Sequence, residues 1–278
     1  MSQLKLSDSD YDSFRKILED ACGIVLGENK HYLVTSRLNR LSEELSYTSL
    51  SNMLDELRKG GNAALKARIV DAMTTNETSW FRDRYPFDML KKSLFPELAK
   101  LKPNPLRIWS AASSTGQEIY TISMTVHEFK KANPGLMNGR VEIVGTDISP
   151  TVIKTARDAK YDELSMGRGL SDERRQQFFD DNKDGGWTVK PEVRLGTRFT
   201  ELNLLNSYTS LGKVDIIFCR NVLIYFSSEM KTDILDRMAK VLKPGGLLFL
   251  GGSESPTGYT KAYEMVRYPE GVVYRIKG

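Results

Sequence analysis

The chain has 278 residues, of which 40% are hydrophobic and 27% charged, enough for one large α/β domain with a smaller appendage. No apolar run approaches the roughly 18 residues of a membrane span, and the opening Met-Ser-Gln-Leu-Lys-Leu-Ser-Asp has no basic region followed by an apolar stretch. The expectation is a cytoplasmic protein without membrane insertion. The net charge is +4, yet residues 1–75 carry ten Lys/Arg against eleven Asp/Glu, so no basic arm for nucleic acid is indicated. Cys22 and Cys219 lie far apart without metal-ligand or redox spacing, which predicts two buried thiols and no metal site.

From Ser7 to about Ala72 the apolar residues repeat at helical spacing: Phe14, Ile17 and Leu18, then Val34, Leu38, Leu41 and Leu45. This predicts a small all-α domain over 1–75. Ser7 with Asp10 offers a helix start resembling a capping box, and Gly60-Gly61 breaks one helix before another runs from Ala63 to Met73. Residues 76–105 then read as linker helices, one including Met89 to Leu101, stopped by Pro103-Asn-Pro105.

At Leu106 the period changes. Strand 106–111, helix 117–130, strand 141–146 and helix 150–159 form a βαβα unit, which demands a parallel sheet. Strand 214–219, helix 228–242 and strand 247–251 continue it, and Tyr263 to Tyr268 with Val272 to Ile276 flank Pro-Glu-Gly as an antiparallel hairpin at its edge. Between them, about 161–202 reads as an inserted β-subdomain, with a helix from Ser171 to Phe179, the turn Asp184-Gly-Gly-Trp, and short strands at Val189 to Val193 and Thr197 to Leu202. The fold class is therefore α/β: an N-terminal all-α domain plus a Rossmann-like domain over 106–278 with a small antiparallel insert.

In open α/β sheets ligands bind outside the carboxyl ends of the strands. The small, polar Ser110 to Gly116 lies at such an end and lets backbone N–H groups approach a ligand, although an ordinary strand-to-helix turn has the same composition. Asp147 closes the second strand, where a carboxylate can accept from a ribose diol or cap the helix beginning near Pro150. Glu118 opens a helix and can answer its dipole or pair with a ligand ammonium. Arg82 offers a planar fork that could hold a carboxylate together with the Tyr225 phenol, or could pair with Asp83 or Asp88. Lys30, Arg37 and Arg40 could form a positive face on one helix for an acidic partner, or simply its solvated side.

Four stretches occur in order: Thr74-Thr-Asn-Glu-Thr-Ser-Trp-Phe-Arg-Asp83, Trp109-Ser-Ala-Ala-Ser-Ser-Thr-Gly-Gln-Glu118, Val144-Gly-Thr-Asp147-Ile-Ser, and Phe218-Cys-Arg-Asn-Val-Leu-Ile-Tyr225-Phe226. With them the chain resembles the CheR family of chemotaxis receptor methyltransferases over nearly its whole length. The resemblance implies a class I methyltransferase fold that binds S-adenosylmethionine without a metal and releases S-adenosylhomocysteine. It also implies that Asn76, Thr78, Arg82, Glu118, Asp147, Arg220 and Asn221 line the cofactor pocket, that Asn203-Leu204 receives the adenine, and that Tyr225 stands beside the methyl group. Trp80 and Phe81 are expected to be core anchors. The implied substrates are glutamates on the cytoplasmic helical bundle of chemoreceptors, methylated in sensory adaptation. In some members the β-subdomain tethers a pentapeptide at the receptor C-terminus, for which Asn182-Lys-Asp-Gly-Gly186 is the region to inspect, and a monomer is expected.

A glutamate acceptor agrees with the residues present. With a reference pKa of about 4.3 it is already ionised at neutral pH and needs no general base, and the two histidines, His31 and His127, lie outside the four stretches. A nucleic-acid methyltransferase would end the fourth strand in an Asn/Asp-Pro-Pro-aromatic turn, where this chain has Cys219-Arg-Asn.

Overall fold

The computed structural model describes residues 6–60, 62–183 and 185–278. Met1 to Lys5 of the opening segment, Gly61 of the helix break and Asp184 of the insert turn lie outside that range. The chain separates into two units, Met1–Thr75 with Tyr225–Met230, and Asn76–Ile224 with Lys231–Gly278.

The first unit is built from α1 (Asp8–Cys22), α2 (His31–Glu44), α3 (Leu50–Arg58) and α4 (Ala63–Met73). Side-chain caps set three of the starts: Ser7 accepts from the Asp10 N–H, Ser49 from Asn52 and Asn62 from Leu65. Gly23, at φ 78°, ends α1 in the left-handed region where glycine carries no penalty. Phe14, Leu18, Val34, Leu38 and Leu41 are buried, as their spacing predicts. Arg37 is half-buried, and its Nη1 donates to the carbonyls of Met73 and Thr74, closing the C-terminal end of α4.

The second unit opens with α5 (Tyr85–Met89), which runs through a wider π-helical turn at Leu90–Leu94 into α6 (Phe95–Leu101). There follow β1 (Leu106–Ala111), α7 (Gln117–Ala132), β2 (Val141–Asp147), α8 (Pro150–Asp158), β3 (Lys160–Tyr161), α9 (Glu163–Met166), α10 (Asp172–Phe178), β4 (Phe179–Asp181) and β5 (Trp187–Val189). The chain continues through α11 (Pro191–Arg194), β6 (Thr197–Glu201), β7 (Val214–Cys219), α12 (Ser228–Val241), β8 (Leu242–Leu250), β9 (Tyr263–Tyr268) and β10 (Gly271–Ile276). The large sheet has the order β6-β2-β1-β7-β8-β10-β9, parallel except for the closing hairpin, which is antiparallel as its turn predicts. A separate small sheet, β3-β5-β4, is antiparallel. In the large sheet β1, flanked by β2 and β7, is buried at every residue but half-buried Arg107, as parallel strands covered on both faces are.

Two local expectations need correction. The strand expected at Val189 to Val193 is Trp187–Val189 only, because Pro191 has no N–H to give to a ladder and instead starts the helical turn α11. Thr197–Glu201, expected within the insert's sheet, pairs in parallel with β2 and forms the edge of the large sheet. Its one buried residue, Phe199, between exposed Arg198 and half-buried Thr200, is the one-sided burial of an edge strand. Among the described residues no helix is long and apolar enough to cross a membrane. Cys22 and Cys219 are both buried thiols, and burial pushes the Cys22 thiol up to about 11.

Candidate active site

The order of the large sheet places β2 on one side of β1 and β7 on the other, so the chain leaves β1 at a switch point and the loops after these strands diverge around a crevice. The loop after β1 alternates into the left-handed region at Ala112 (φ 56°), Ser114 (φ 49°) and Gly116 (φ 96°). A Cβ on Gly116 would stand 3.0 Å from the Ala156 Cβ and 3.1 Å from the Tyr161 hydroxyl, so this turn admits only glycine. Asp147, at the end of β2, is only 6% exposed; its Oδ2 accepts from the Ser114 N–H at 2.9 Å and its Oδ1 from Ser149 at 3.0 Å. The cap of α8 is Ser149, which accepts from Val152 N at 3.2 Å, so Asp147 is not that cap and instead braces the loop after β1.

Glu118, in the first turn of α7, does more than answer the helix dipole. Its Oε1 accepts from the Ser110 hydroxyl at 2.8 Å and its Oε2 from Arg220 Nη1 at 2.9 Å. Arg220, with a side chain 2% exposed at the end of β7, also donates from Nη2 to the Asp83 carboxylate at 2.6 Å and to the Arg82 carbonyl at 2.9 Å. Burial works against the Arg220 charge, but the two carboxylates outweigh it and hold its pKa above the ordinary value. Asp83 is thus engaged by Arg220 and Asp88 by Lys92 at 3.7 Å, while Arg82 donates from Nη1 to the Glu77 carbonyl at 3.1 Å. No ion pair involves Arg82 among the described residues.

The segment from Asn76 to Arg84 is held against the rest of its unit. Trp80 is fully buried, donates from Nε1 to the Ser165 carbonyl at 3.0 Å, and meets Tyr161 and Phe179 edge-on at 4.9 and 5.1 Å. A Cβ on Gly169 would fall 1.9 Å from the Trp80 carbonyl oxygen, so the two backbones touch. Phe81 is 5% exposed and lies under the Arg174 guanidinium at 3.7 Å; Arg174 in turn binds Glu128 at 2.7 Å. Burial raises the Glu128 pKa, but Arg174 and Lys91 outweigh this and hold the carboxyl below its usual range. Phe81, Asp83 and Arg84 all take positive φ, and the Asn76 carbonyl accepts from the Ser114 hydroxyl at 2.8 Å. Thr78 is half-buried.

Asn203 accepts from the Leu205 N–H at 3.0 Å, and buried Leu204 offers its carbonyl to the Tyr208 hydroxyl at 2.7 Å. Asn221 sits at φ 58°. Among the described residues its Oδ1 and Arg220 Nε are buried without a hydrogen-bond partner, as is Ser113 Oγ, which packs against Gly145 beside Ile119 and Phe199. The two atoms at the end of β7, Asn221 Oδ1 and Arg220 Nε, suit a ligand that carries both donors and acceptors, as an adenosyl group does. Tyr225 ends the turn Leu223–Tyr225 and groups with the helical unit, where its carbonyl accepts from the Val25 N–H at 2.8 Å. In that unit Lys30 is exposed just before α2, and the Arg40 side chain is 84% exposed beside Glu44, whereas Arg37 is occupied at the end of α4. A cleft of about 580 Å³ between Val126, Ile143 and Thr197 contains none of the residues expected in the site and opens at the opposite ends of β2 and β6.

Sequence reasoning missed Glu254, whose carboxylate accepts from the Asn221 and Gly251 N–H groups, both at 2.7 Å. Gly251-Gly-Ser-Glu254 directly after a strand was a usable signal. It also treated Asp83 only as a partner for Arg82.

Residues 76–272 match the model described as CheR methyltransferase, SAM binding domain, and residues 9–74 the CheR methyltransferase, all-alpha domain. The chain is 51% identical to chemotaxis protein methyltransferase 1 of Pseudomonas aeruginosa over 99% of this chain and 100% of that one. It is 51% identical to the chemotaxis protein methyltransferase of Vibrio parahaemolyticus over 100% of both. Identity to the chemotaxis protein methyltransferase of Salmonella typhimurium is 33%, covering 95% of this chain and 89% of the relative. With both domains matched in order and relatives aligned end to end, the chain belongs to the CheR methyltransferase family.

Proposed function

We propose that the chain transfers the methyl group of S-adenosylmethionine to glutamate carboxylates of chemoreceptors, giving methyl esters and S-adenosylhomocysteine in chemotactic adaptation. The observation that carries this reading is the crevice at the switch point, where Asp147, the left-handed loop 112–116 and the Glu118–Arg220 pair come together at the ends of β1, β2 and β7. The full-length likeness to chemotaxis protein methyltransferases supplies the substrate class.

In this reading Asp147 accepts from the ribose hydroxyls, Asn203 and Leu204 receive the adenine, and Glu118 faces the ammonium of the amino-acid portion. Asn76, Thr78, Arg82, Arg220 and Asn221 complete the pocket. When bound, the cofactor supplies an electrophilic methyl on a sulfonium. What remains for the protein is alignment and exclusion of water. Arg82 and Tyr225 are the proposed catalytic residues: Arg82, which forms no ion pair among the described residues, offers its fork to the acceptor glutamate, and Tyr225 offers a phenol. No general base is needed for an acceptor already ionised. The histidines fit that economy: His31 stacks on Tyr11 at 3.7 Å in the helical unit, and His127 Nε2 lies 3.0 Å from the Glu192 carbonyl.

Residues 1–75 serve as the recognition domain, 76–105 carry part of the site and 106–278 are the methyltransferase domain. Lys30 and Arg40 present the positive charge that meets the acidic receptor bundle, with Arg37 bracing α4. The β3-β5-β4 sheet takes the receptor C-terminal pentapeptide where one is present, and the protein works as a cytoplasmic monomer. The test is incubation with labelled S-adenosylmethionine and receptor-rich membranes. Label released from the receptor by mild base, as an ester must be, is the expected result; base-stable label on receptor would refute the glutamate assignment.

A further inference from the structure

The loop after β7 leaves the sheet at Cys219 and turns through Asn221 in the left-handed region, a conformation that asparagine tolerates better than most non-glycine residues and that outside contacts can fix. The support comes from the loop after β8. Glu254 Oε2 accepts from the N–H groups of Asn221 and Gly251, both at 2.7 Å, and Oε1 accepts from Ile224 N at 3.3 Å. The carboxylate is itself oriented by a turn in which Glu254 N donates to the Gly251 carbonyl at 2.9 Å. One side chain thereby takes the place of a strand partner for two loops, and the fit is close: a Cβ on Gly251 would stand 2.7 Å from Glu254 Oε2 and 2.8 Å from Asn221 Nδ2. The Asn221 backbone is thereby fixed, and its side-chain Oδ1 is buried without a hydrogen-bond partner among the described residues.

We propose that Glu254 is a positioning residue for cofactor binding, acting through Asn221 by fixing its left-handed backbone and so aiming its amide at the cofactor. This rests on the reading that Asn221 contacts the cofactor. An interaction that runs through a second residue is non-additive with it, whereas a general structural role is not.

Calorimetric titration of the full chain with S-adenosylhomocysteine, well below the unfolding midpoints, tests it on Asn221→Ala, Glu254→Ala and the double variant. Each single variant is expected to bind about tenfold more weakly, near the loss of one hydrogen bond. The double variant should be no more than about twofold weaker than the weaker single. Glu254→Gln, which keeps one acceptor oxygen at the same length, should fall between parent and Glu254→Ala, and it carries the cycle if the alanine variant does not fold. Losses that multiply, or a Glu254 variant that binds like the parent while Asn221→Ala does not, overturn the positioning role alone. Parental binding by Asn221→Ala overturns the cofactor reading of Asn221 and the role of Glu254 with it.

Discussion

Replacing Arg220 with methionine should unfold the second unit far more readily than any exposed substitution. The side chain is 2% exposed and joins Glu118, 14% exposed, to Asp83, 44% exposed. The two arms are unequal. Asp83 can be rehydrated, so its loss costs roughly 0.2–1 kcal/mol. Glu118 would be left as a charge with little water, and stranding a buried ion costs roughly 3–5 kcal/mol. The bond to the Arg82 carbonyl adds about 1 kcal/mol. Because Glu118 keeps its bond to Ser110 and some water, the lower end applies, and a loss of about 4–5 kcal/mol is expected. Urea unfolding followed by circular dichroism measures it. The double variant Arg220→Met with Glu118→Gln removes the stranded charge and should recover at least half of the loss. An Arg220→Met protein within about 1 kcal/mol of the parent, or a double variant no better than the single, would show that burial of this pair does not set the cost.

Asp147→Ala removes the acceptor of two backbone N–H bonds that shape the loop after β1, each worth roughly 1.5–3 kcal/mol when charge-assisted; S-adenosylhomocysteine binding should weaken by at least tenfold in calorimetry, and unchanged affinity would remove Asp147 from the pocket. The Glu128 carboxyl is held below its usual range, so the stability it lends is present above about pH 4.3, its unfolded value, and is lost as pH falls through the lower folded value. Glu128→Gln should therefore cost the same from pH 5 to 8 in urea titrations, with the gap to the parent closing below about pH 4. Arg40→Ala should slow receptor methylation with little change in the unfolding midpoint, since its exposed pair with Glu44 contributes only roughly 0.2–0.5 kcal/mol, whereas Arg37→Ala, which strips the end of α4, should lower that midpoint clearly. In single-turnover methylation the parental rate should be flat from about pH 6 to 9, and Arg82→Ala should lower that plateau without tilting it; a rate climbing tenfold per pH unit through neutrality would mean an acceptor other than glutamate.

The helical unit was legible because its signals are local. Helical spacing fixed which faces are buried, and Ser7 capped α1 through Asp10, three residues away. The βαβα rhythm and the final hairpin were legible for the same reason. Thr197–Glu201 was not, because which sheet a short strand joins depends on β2, some fifty residues earlier in the chain, and nothing in Thr-Arg-Phe-Thr-Glu names that partner. The site divides in the same way. Asp147 and the loop after β1 follow from their places at strand ends. The Arg220–Asp83 pair spans 137 residues, Glu254 reaches 33 residues back to Asn221, and Arg174 lies over a Phe81 ring contributed by a distant segment. Sequence supplied the charges in each case but not the pairing.

Those long-range contacts bear on why the site can keep its shape. Of nine non-glycine residues with positive φ among the described residues, six lie in three short stretches at the crevice: Phe81, Asp83 and Arg84, then Ala112 and Ser114, then Asn221. Each left-handed residue costs roughly 1–2 kcal/mol, so these stretches would relax if left to local preference. Each has a restraint from elsewhere in its unit: buried Trp80 and the Arg220–Asp83 pair for the first, Asp147 for the second, Glu254 for the third. Strain concentrated at the proposed site, and offset by hydrogen bonds and packing from distant segments, is how a fold holds backbone groups in a geometry the free chain would abandon. A methyl transfer that depends on alignment needs that rigidity before the cofactor arrives, and the residues that supply it are the ones whose partners lie far along the chain.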